Sequence, residues 1–81
     1  MPKATQQDAY EAIKVIISDH KKYDTTLNYA INYCHAAMMM VGYELSVQCI
    51  YILNNITSWR HSQAKHVRQV LKSFIKETNN V

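Results

Sequence analysis

The fold is decided by residues 27–56, which read LNYAINYCHAAMMMVGYELSVQCIYILNNI. This stretch is almost entirely uncharged, and its only glycine, Gly42, stands in the middle. Glycine commonly follows the end of a helix, because it adopts the left-handed conformation required there without strain. We therefore predict two apolar helices, the second and third of the chain, with Gly42 ending the earlier one. The expected bounds are Thr25–Val41, with Asp24 as N-terminal cap, and Glu44–Thr57.

Both of these helices carry apolar residues on two sides. The expected core sides, with residues three and four apart, are Leu27, Ala30, Ile31, Cys34, Ala37, Met38 and Val41 on the second helix, and Leu45, Cys49, Ile52 and Ile56 on the third. Roughly opposite lie Tyr29, Tyr33, Ala36 and Met40, and then Val47, Ile50 and Tyr51. A helix that is apolar nearly all round is buried on several sides.

Two arrangements would account for these second apolar sides. In one, a single bundle leaves its second and third helices partly exposed. In the other, which we favour, a homodimer or larger assembly covers them, since aromatic residues and Met are enriched at interfaces. The expected interface residues are Tyr29, Tyr33, Met40, Val47, Ile50 and Tyr51.

The remaining chain supplies two more amphipathic helices. The first should run from Gln6 to Lys21 behind the N-cap Thr5, and the fourth from Ser62 to Glu77. Their expected core residues are Ala9, Ile13, Ile16, Ile17 and His20, and then Ala64, Val67, Val70, Leu71 and Phe74.

The composition favours helices throughout the chain. Glycine and proline occur once each, whereas a sheet of many strands needs many turns. The 81 residues are enough for one domain. We predict an all-α fold, a small four-helix bundle, up-down or orthogonal, completed by homo-oligomerisation. Residues 1–81 form a single helical domain in this interpretation, with residues 1–5 as an N-terminal arm and residues 78–81 as a frayed tail.

Basic residues are concentrated in the last quarter of the chain. The net charge is +3, and residues 60–81 alone carry five Lys and Arg against one Glu, which gives +4. Helical spacing aligns them in a basic row of His61, Lys65, Arg68, Lys72 and Lys76. Such a row suits nucleic-acid phosphates or an acidic protein surface. A plain solvated helix face is the alternative, and we favour it, because no aromatic residue for base stacking interrupts the row.

Trp59 and Arg60 stand between the third and fourth helices. Trp59 continues the core side from Ile52 and Ile56, so we expect it in the core. An exposed Trp beside Arg would instead be typical of an interface hot spot.

One pair of residues indicates an enzyme. Arg60 and His66 are separated by five residues at the start of the last helix. This spacing resembles the Arg-x(4–6)-His motif of the HEPN-type ribonucleases, which are also helical bundles. The resemblance covers seven residues. It implies that Arg60 and His66 would contact the scissile phosphate and assist attack by the 2′-hydroxyl group.

Other chemistry finds little support in the residue spacing. Cys34 and His35 are adjacent and point to different helix faces, while His61 and His66 are five residues apart rather than four. We therefore expect no metal and no cofactor. Two cysteines without a CxxC pattern indicate reduced thiols and a cytoplasmic protein. No apolar run approaches the ~20 residues of a membrane span, so no membrane partner is expected.

These observations favour a non-enzymatic interaction protein that oligomerises and binds or blocks a macromolecular partner. Inhibitors, immunity proteins and accessory proteins of phages and other mobile elements share this size and plain composition. The expected partners are a second copy of the chain and another protein, with an acidic surface as one option. The alternative function is nucleic-acid binding through the basic row, and the third is the ribonuclease.

Overall fold

Residues 3–20 and 24–79 are described by the computed structural model, and they form four α-helices without a strand. The helices are α1 (Gln6–Asp19), α2 (Asp24–Ala37), α3 (Gly42–Asn54) and α4 (Ala64–Asn79). Each helix packs against the next one in the chain, and α1 also packs against α4, so the four close into a ring. The predictions of an all-helical fold and of four helices are confirmed.

A capping box begins α1. The Asp8 N–H donates to Thr5 Oγ1 at 3.1 Å, and the Thr5 N–H donates to Asp8 Oδ2 at 2.9 Å. Each side chain thus satisfies an N–H group that the first helical turn leaves without a partner. The predicted N-cap is confirmed. The helix ends at Asp19, and its expected last residue, Lys21, lies outside the described residues.

The end of α2 corrects the prediction at that point. The helix stops at Ala37 rather than Val41, and its last turn tightens through a bond from the Met40 N–H to the Ala37 carbonyl at 3.0 Å. Val41 is extended and exposed as the N-cap of α3, not part of the core. Gly42, with φ of +57°, is the first residue of α3. Glycine therefore marks a helix end as expected, but it opens α3 instead of following α2 directly.

Contacts with α1 explain why the chain leaves the helix early. The Tyr10 hydroxyl donates to the Met40 carbonyl, and the Gly42 N–H donates to Gln6 Oε1 at 2.8 Å. Local propensity permits a helix through residues 38–41. The bonds to α1 instead provide partners for the Met40 carbonyl and the Gly42 N–H where the chain reverses its direction. We call this turn the α2–α3 corner (residues 38–41).

The other boundaries shift by two or three residues. The third helix ends at Asn54 instead of Thr57, and α4 spans Ala64–Asn79 instead of Ser62–Glu77. Residues 78 and 79, expected in a frayed tail, are therefore helical, while residues 80 and 81 lie outside the described part. Within the N-terminal arm, the buried Ala4 contacts α4, where its N–H donates to Ser73 Oγ at 3.2 Å.

The core lies inside the ring of helices and matches the predicted faces closely. Its fully buried large side chains include Trp59, Ile13, Ile16, Leu27, Leu45, Ile52, Ile56, Leu71 and Val67. All five core residues expected on α4 are buried, whereas Ile17 and His20 of α1 are only half-buried. Among the described helices, none has both the length and the apolar character to cross a membrane.

Candidate interaction surfaces

The outer sides of α2 and α3 form one exposed apolar surface. We call it the aromatic face and define it as the exposed residues Tyr29, Tyr33, Ile50 and Tyr51 with the half-buried Val47. Tyr29 is 75% exposed, and the Tyr33 and Tyr51 rings stack with centroids 5.7 Å apart. This stacking joins the two helices into a continuous surface. Five of the six residues predicted for an oligomer interface lie on α2 and α3, and among them Tyr33 and Tyr51 are in contact between the two helices.

Met40, the sixth predicted interface residue, lies elsewhere. Because α2 ends at Ala37, Met40 falls in the α2–α3 corner, where it is half-buried and packs against the core. Its neighbour Met39, which the sequence did not single out, is 90% exposed. Tyr43 at the start of α3 is also exposed and was missed. The helical period placed Met40 on the wrong surface because α2 does not continue past Ala37.

A polar contact holds α2 and α3 together beneath the aromatic face. Gln48 is buried, and its Nε2 donates to the Tyr33 carbonyl at 3.0 Å. The sequence contained a signal for this burial, since Gln48 lies between Leu45 and Cys49 on the predicted core side. The bond fixes the register of the two helices, so Tyr33 and Tyr51 are held in place rather than free to rearrange.

Trp59 lies in the core with only 1% of its surface exposed. Its indole Nε1 donates to Oδ2 of the buried Asp19 at 2.6 Å, which links the segment after α3 to the end of α1. The expectation of core packing is confirmed, and the indole offers no exposed hot spot. Asp19 was not predicted as a core residue, although its position three residues after Ile16 places it on the core side of α1.

His61 is held by its neighbours on both sides of the ring. Its Nδ1 accepts the Gln63 N–H at 3.0 Å, its Nε2 lies 3.7 Å from Asp19 Oδ1, and its ring stacks on Trp59. Because Nδ1 accepts a hydrogen bond, the proton of the neutral ring is on Nε2, facing Asp19. Both nitrogens therefore serve the fold, and the ring is not a simple outward member of the basic row.

Arg68 also differs from its predicted role. Its Nη2 donates to the Ile56 carbonyl at 2.7 Å and to the Trp59 carbonyl at 2.8 Å. The side chain is half-buried and closes the loop after α3, instead of projecting freely into solvent. Lys65, Lys72 and Lys76 are exposed as expected. Of the five residues predicted for the basic row, the three lysines are exposed, whereas His61 and Arg68 hold the loop after α3.

The segment between α3 and α4 (residues 55–63), the α3–α4 corner, forms a concavity with the start of α4. We call this concavity the cationic corner, and its lining residues are Thr57, Trp59, Arg60, His61, Ala64, Lys65 and Arg68. No acidic side chain is among these lining residues. Arg60 therefore shares this concavity with His61, Lys65 and Arg68 of the basic row. The sequence alone pairs Arg60 with Trp59 and with His66 instead.

The two residues of the ribonuclease-like pair face different surroundings. Arg60 lines the cationic corner, whereas His66 lines a separate concavity between α1 and α4, beside Asp8 and Glu11. Lys3 also lines the concavity at His66, so that concavity carries charges of both signs. The structure does not bring Arg60 and His66 into one site.

The two cysteines are buried on the inner sides of α2 and α3 as free thiols. Burial, together with the charge of neighbouring Cys49, raises the pKa of Cys34 to about 12. Burial alone raises the pKa of Cys49 to about 12. Thiols with such pKa values are poor nucleophiles and metal ligands at neutral pH. Within residues 3–20 and 24–79, no three His, Cys, Asp or Glu side chains cluster closely enough to hold a metal ion.

Comparison with models of protein families, with curated protein sequences and with solved structures finds no match for this chain.

Proposed function

We propose that this chain is a non-enzymatic interaction module that assembles with a second copy of itself through the aromatic face. The assembled module then binds or blocks a macromolecular partner. One observation carries the proposal. In the part of the chain that the structure describes, four of the seven exposed large hydrophobic side chains belong to the aromatic face, namely Tyr29, Tyr33, Ile50 and Tyr51. Clustered apolar exposure of this kind is typical of interaction sites.

The charge distribution favours a second copy as the occupant of the aromatic face. Between residues 27 and 54, Glu44 is the only Asp, Glu, Lys or Arg. Two aromatic faces can therefore meet about a twofold axis with little repulsion between like charges. The α4 side, in contrast, carries Lys65, Lys72 and Lys76, which would repel their copies. Tyrosines also provide a large contact area at a small loss of side-chain entropy.

The arrangement of the titratable groups supports a non-enzymatic role. His61 uses both ring nitrogens within the fold, and His66 lies apart from Arg60. The buried thiols of Cys34 and Cys49, with their raised pKa, are poorly suited to nucleophilic catalysis. We place the module in the cytoplasm, where such thiols stay reduced. The exposed lysines of α4 remain available to the macromolecular partner after assembly.

Sedimentation equilibrium tests the assembly. We expect the unmodified protein to show at least twice the monomer mass of 9.4 kDa at high concentration. Tyr33→Glu places a charge in the interface and should return the monomer mass. Asn32→Glu introduces the same charge at the neighbouring exposed position and should leave the assembly intact.

A second variant separates loss of assembly from loss of folding. Tyr29 is more exposed than Tyr33, so Tyr29→Glu should dissociate the assembly without changing the helical circular dichroism spectrum. An unmodified protein that remains a monomer at high concentration contradicts the proposal. Equal loss of the assembled mass in Asn32→Glu and Tyr33→Glu would also contradict it, because the added charge would then disrupt assembly at a position outside the aromatic face as well.

A further inference from the structure

The cationic corner holds three positive side chains that form no ion pair with a carboxyl group of the described residues. Arg60, Lys65 and Arg68 line one concavity that contains no Asp or Glu. The Lys-to-carboxylate ion pairs of the described residues lie elsewhere, at Lys3 with Glu77 and at Lys14 with Glu11. Three like charges in one concavity repel each other, so the fold is less stable for holding them.

Arg68 is fixed in this concavity before any ligand arrives. Its two hydrogen bonds, to the carbonyls of Ile56 and Trp59, both use Nη2. A guanidinium group has five N–H donors. Among the described residues, the donors on Nε and Nη1 meet no acceptor. A positioned charge with free donors binds an anion at a small loss of side-chain entropy.

The start of α4 adds to the positive potential. Ala64, the first residue of this helix, lines the same concavity. The first turn contains Lys65 and no acidic residue, although helices gain stability from acidic residues there. The packing of the fold does not explain this unfavourable choice. An anionic ligand explains it, because the ligand would supply the missing negative charge.

We infer that the cationic corner binds a backbone phosphate of a nucleic acid. A guanidinium group and a helix start suit the phosphate oxygens. Beyond the corner, Lys72 and Lys76 are exposed at seven and eleven residues after Lys65, which corresponds to about 10 and 16 Å along the helix. A polyanion can reach these lysines, whereas a free phosphate ion cannot.

The corner contacts phosphate and does not read bases. Trp59 is buried, and His61 is stacked on it, so neither ring is free to stack on a base. Binding should therefore be independent of sequence and sensitive to salt. This site is separate from the aromatic face. Its failure would leave self-association untouched, and Tyr33→Glu should still bind nucleic acid at the corner.

Two matched double variants of the full chain test the site by fluorescence anisotropy with a short labelled single-stranded DNA at low salt. Arg60→Gln with Lys65→Gln removes two charges from the corner. Lys3→Gln with Lys14→Gln removes two charges that lie outside the corner, in ion pairs with Glu77 and Glu11. We expect the first to weaken binding about tenfold and the second less than about threefold. Circular dichroism confirms that both variants remain folded.

Each alternative outcome overturns the inference in a different way. Equal weakening by the two double variants would show a diffuse attraction between charges and no site. Inorganic phosphate that binds the corner as tightly as DNA would make the free ion the ligand. A poly-glutamate probe that binds as tightly as DNA would assign the corner to an acidic protein. Absence of DNA binding at low salt would remove the site altogether.

Discussion

The α2–α3 corner and the α3–α4 corner both reverse the chain, but they do so with opposite chemistry. The first is a short turn directly before Gly42, and it leaves Met39 and the adjoining Tyr43 exposed. The second buries Trp59 and holds its backbone with Arg68, leaving cations at the surface. The large side chain of Trp59 therefore stabilises the fold at one corner, whereas Met39 and Tyr43 at the other remain exposed for contact with another molecule. The two regions should respond differently to substitution.

Loss of the Trp59 side chain should have the largest effect on stability. Trp59→Ala removes a fully buried side chain and leaves Asp19 without its indole donor. We expect the free energy of unfolding to fall by about 4 kcal/mol, measured by urea denaturation at a concentration that keeps the chain monomeric. Tyr43→Ala, the exposed aromatic residue beside the α2–α3 corner, should change it by less than about 0.5 kcal/mol. Similar losses for both would contradict the contrast between the regions.

Arg68 should rank next, because it supports the same corner through the backbone. Arg68→Ala leaves the Trp59 carbonyl without its donor and the Ile56 carbonyl with only the Trp59 N–H, and we expect a loss of about 2 kcal/mol. Lys72→Ala, one helical turn further along and exposed, should be nearly neutral. If both substitutions proved neutral, Arg68 would be an ordinary surface cation of the basic row.

At Gly42, directly after the α2–α3 corner, a substitution should cost less stability than at Trp59 or Arg68. Gly42 has a φ of +57°, and no atom would lie within 4 Å of an added Cβ, so only backbone strain opposes a substitution. Gly42→Ala should lower the free energy of unfolding by about 1 kcal/mol. Gly42→Asn should lower it less, because Asn tolerates the left-handed conformation better. The reverse order in thermal or urea denaturation would show that space, and not strain, limits this position.

The smallest effect concerns the thiols beneath the aromatic face. Because burial raises the pKa of Cys34 and of Cys49 from 9.0 to about 12, the folded chain keeps both protons when the unfolded chain begins to lose them. Their contribution to stability is complete below pH 9 and is lost progressively as the pH rises towards 12. At pH 9 we expect a loss of about 0.4 kcal/mol per thiol.

Substitution of both cysteines by alanine provides the control. This variant should lack the thiol-dependent part of the decline in unfolding free energy between pH 7 and pH 9. An identical decline of the unfolding free energy in both proteins would show that the thiols are less buried than in this structure.

The apolar pattern predicts much of this fold, for a physical reason. Burial follows the helical period, so the core side of α4, from Ala64 to Phe74, is correct in every position. The pattern fails where one distant contact decides the outcome. The bond from Tyr10 to the Met40 carbonyl helps to end α2 early, and no local spacing indicates it. Arg68 was misplaced similarly, because its acceptors, the carbonyls of Ile56 and Trp59, lie in the loop after α3 and the spacing within α4 does not indicate them.

The candidate surfaces could be predicted to different degrees. The aromatic face required only the periods of two helices, and five of its six proposed residues lie on α2 and α3. The cationic corner depends on how the chain turns between α3 and α4, which places Arg60 beside Lys65 and Arg68. The sequence separates Arg60 from the row of α4, and only the path of residues 55–63 shows that they share a concavity.

Isotope-filtered nuclear Overhauser spectra test most directly whether two copies meet at the aromatic face. A sample prepared from equal amounts of labelled and unlabelled chain reports only contacts between different copies. We predict contacts between copies at the rings of Tyr29, Tyr33 and Tyr51 and at the methyl groups of Ile50. The absence of such contacts at high concentration, or their restriction to α4, would contradict the account.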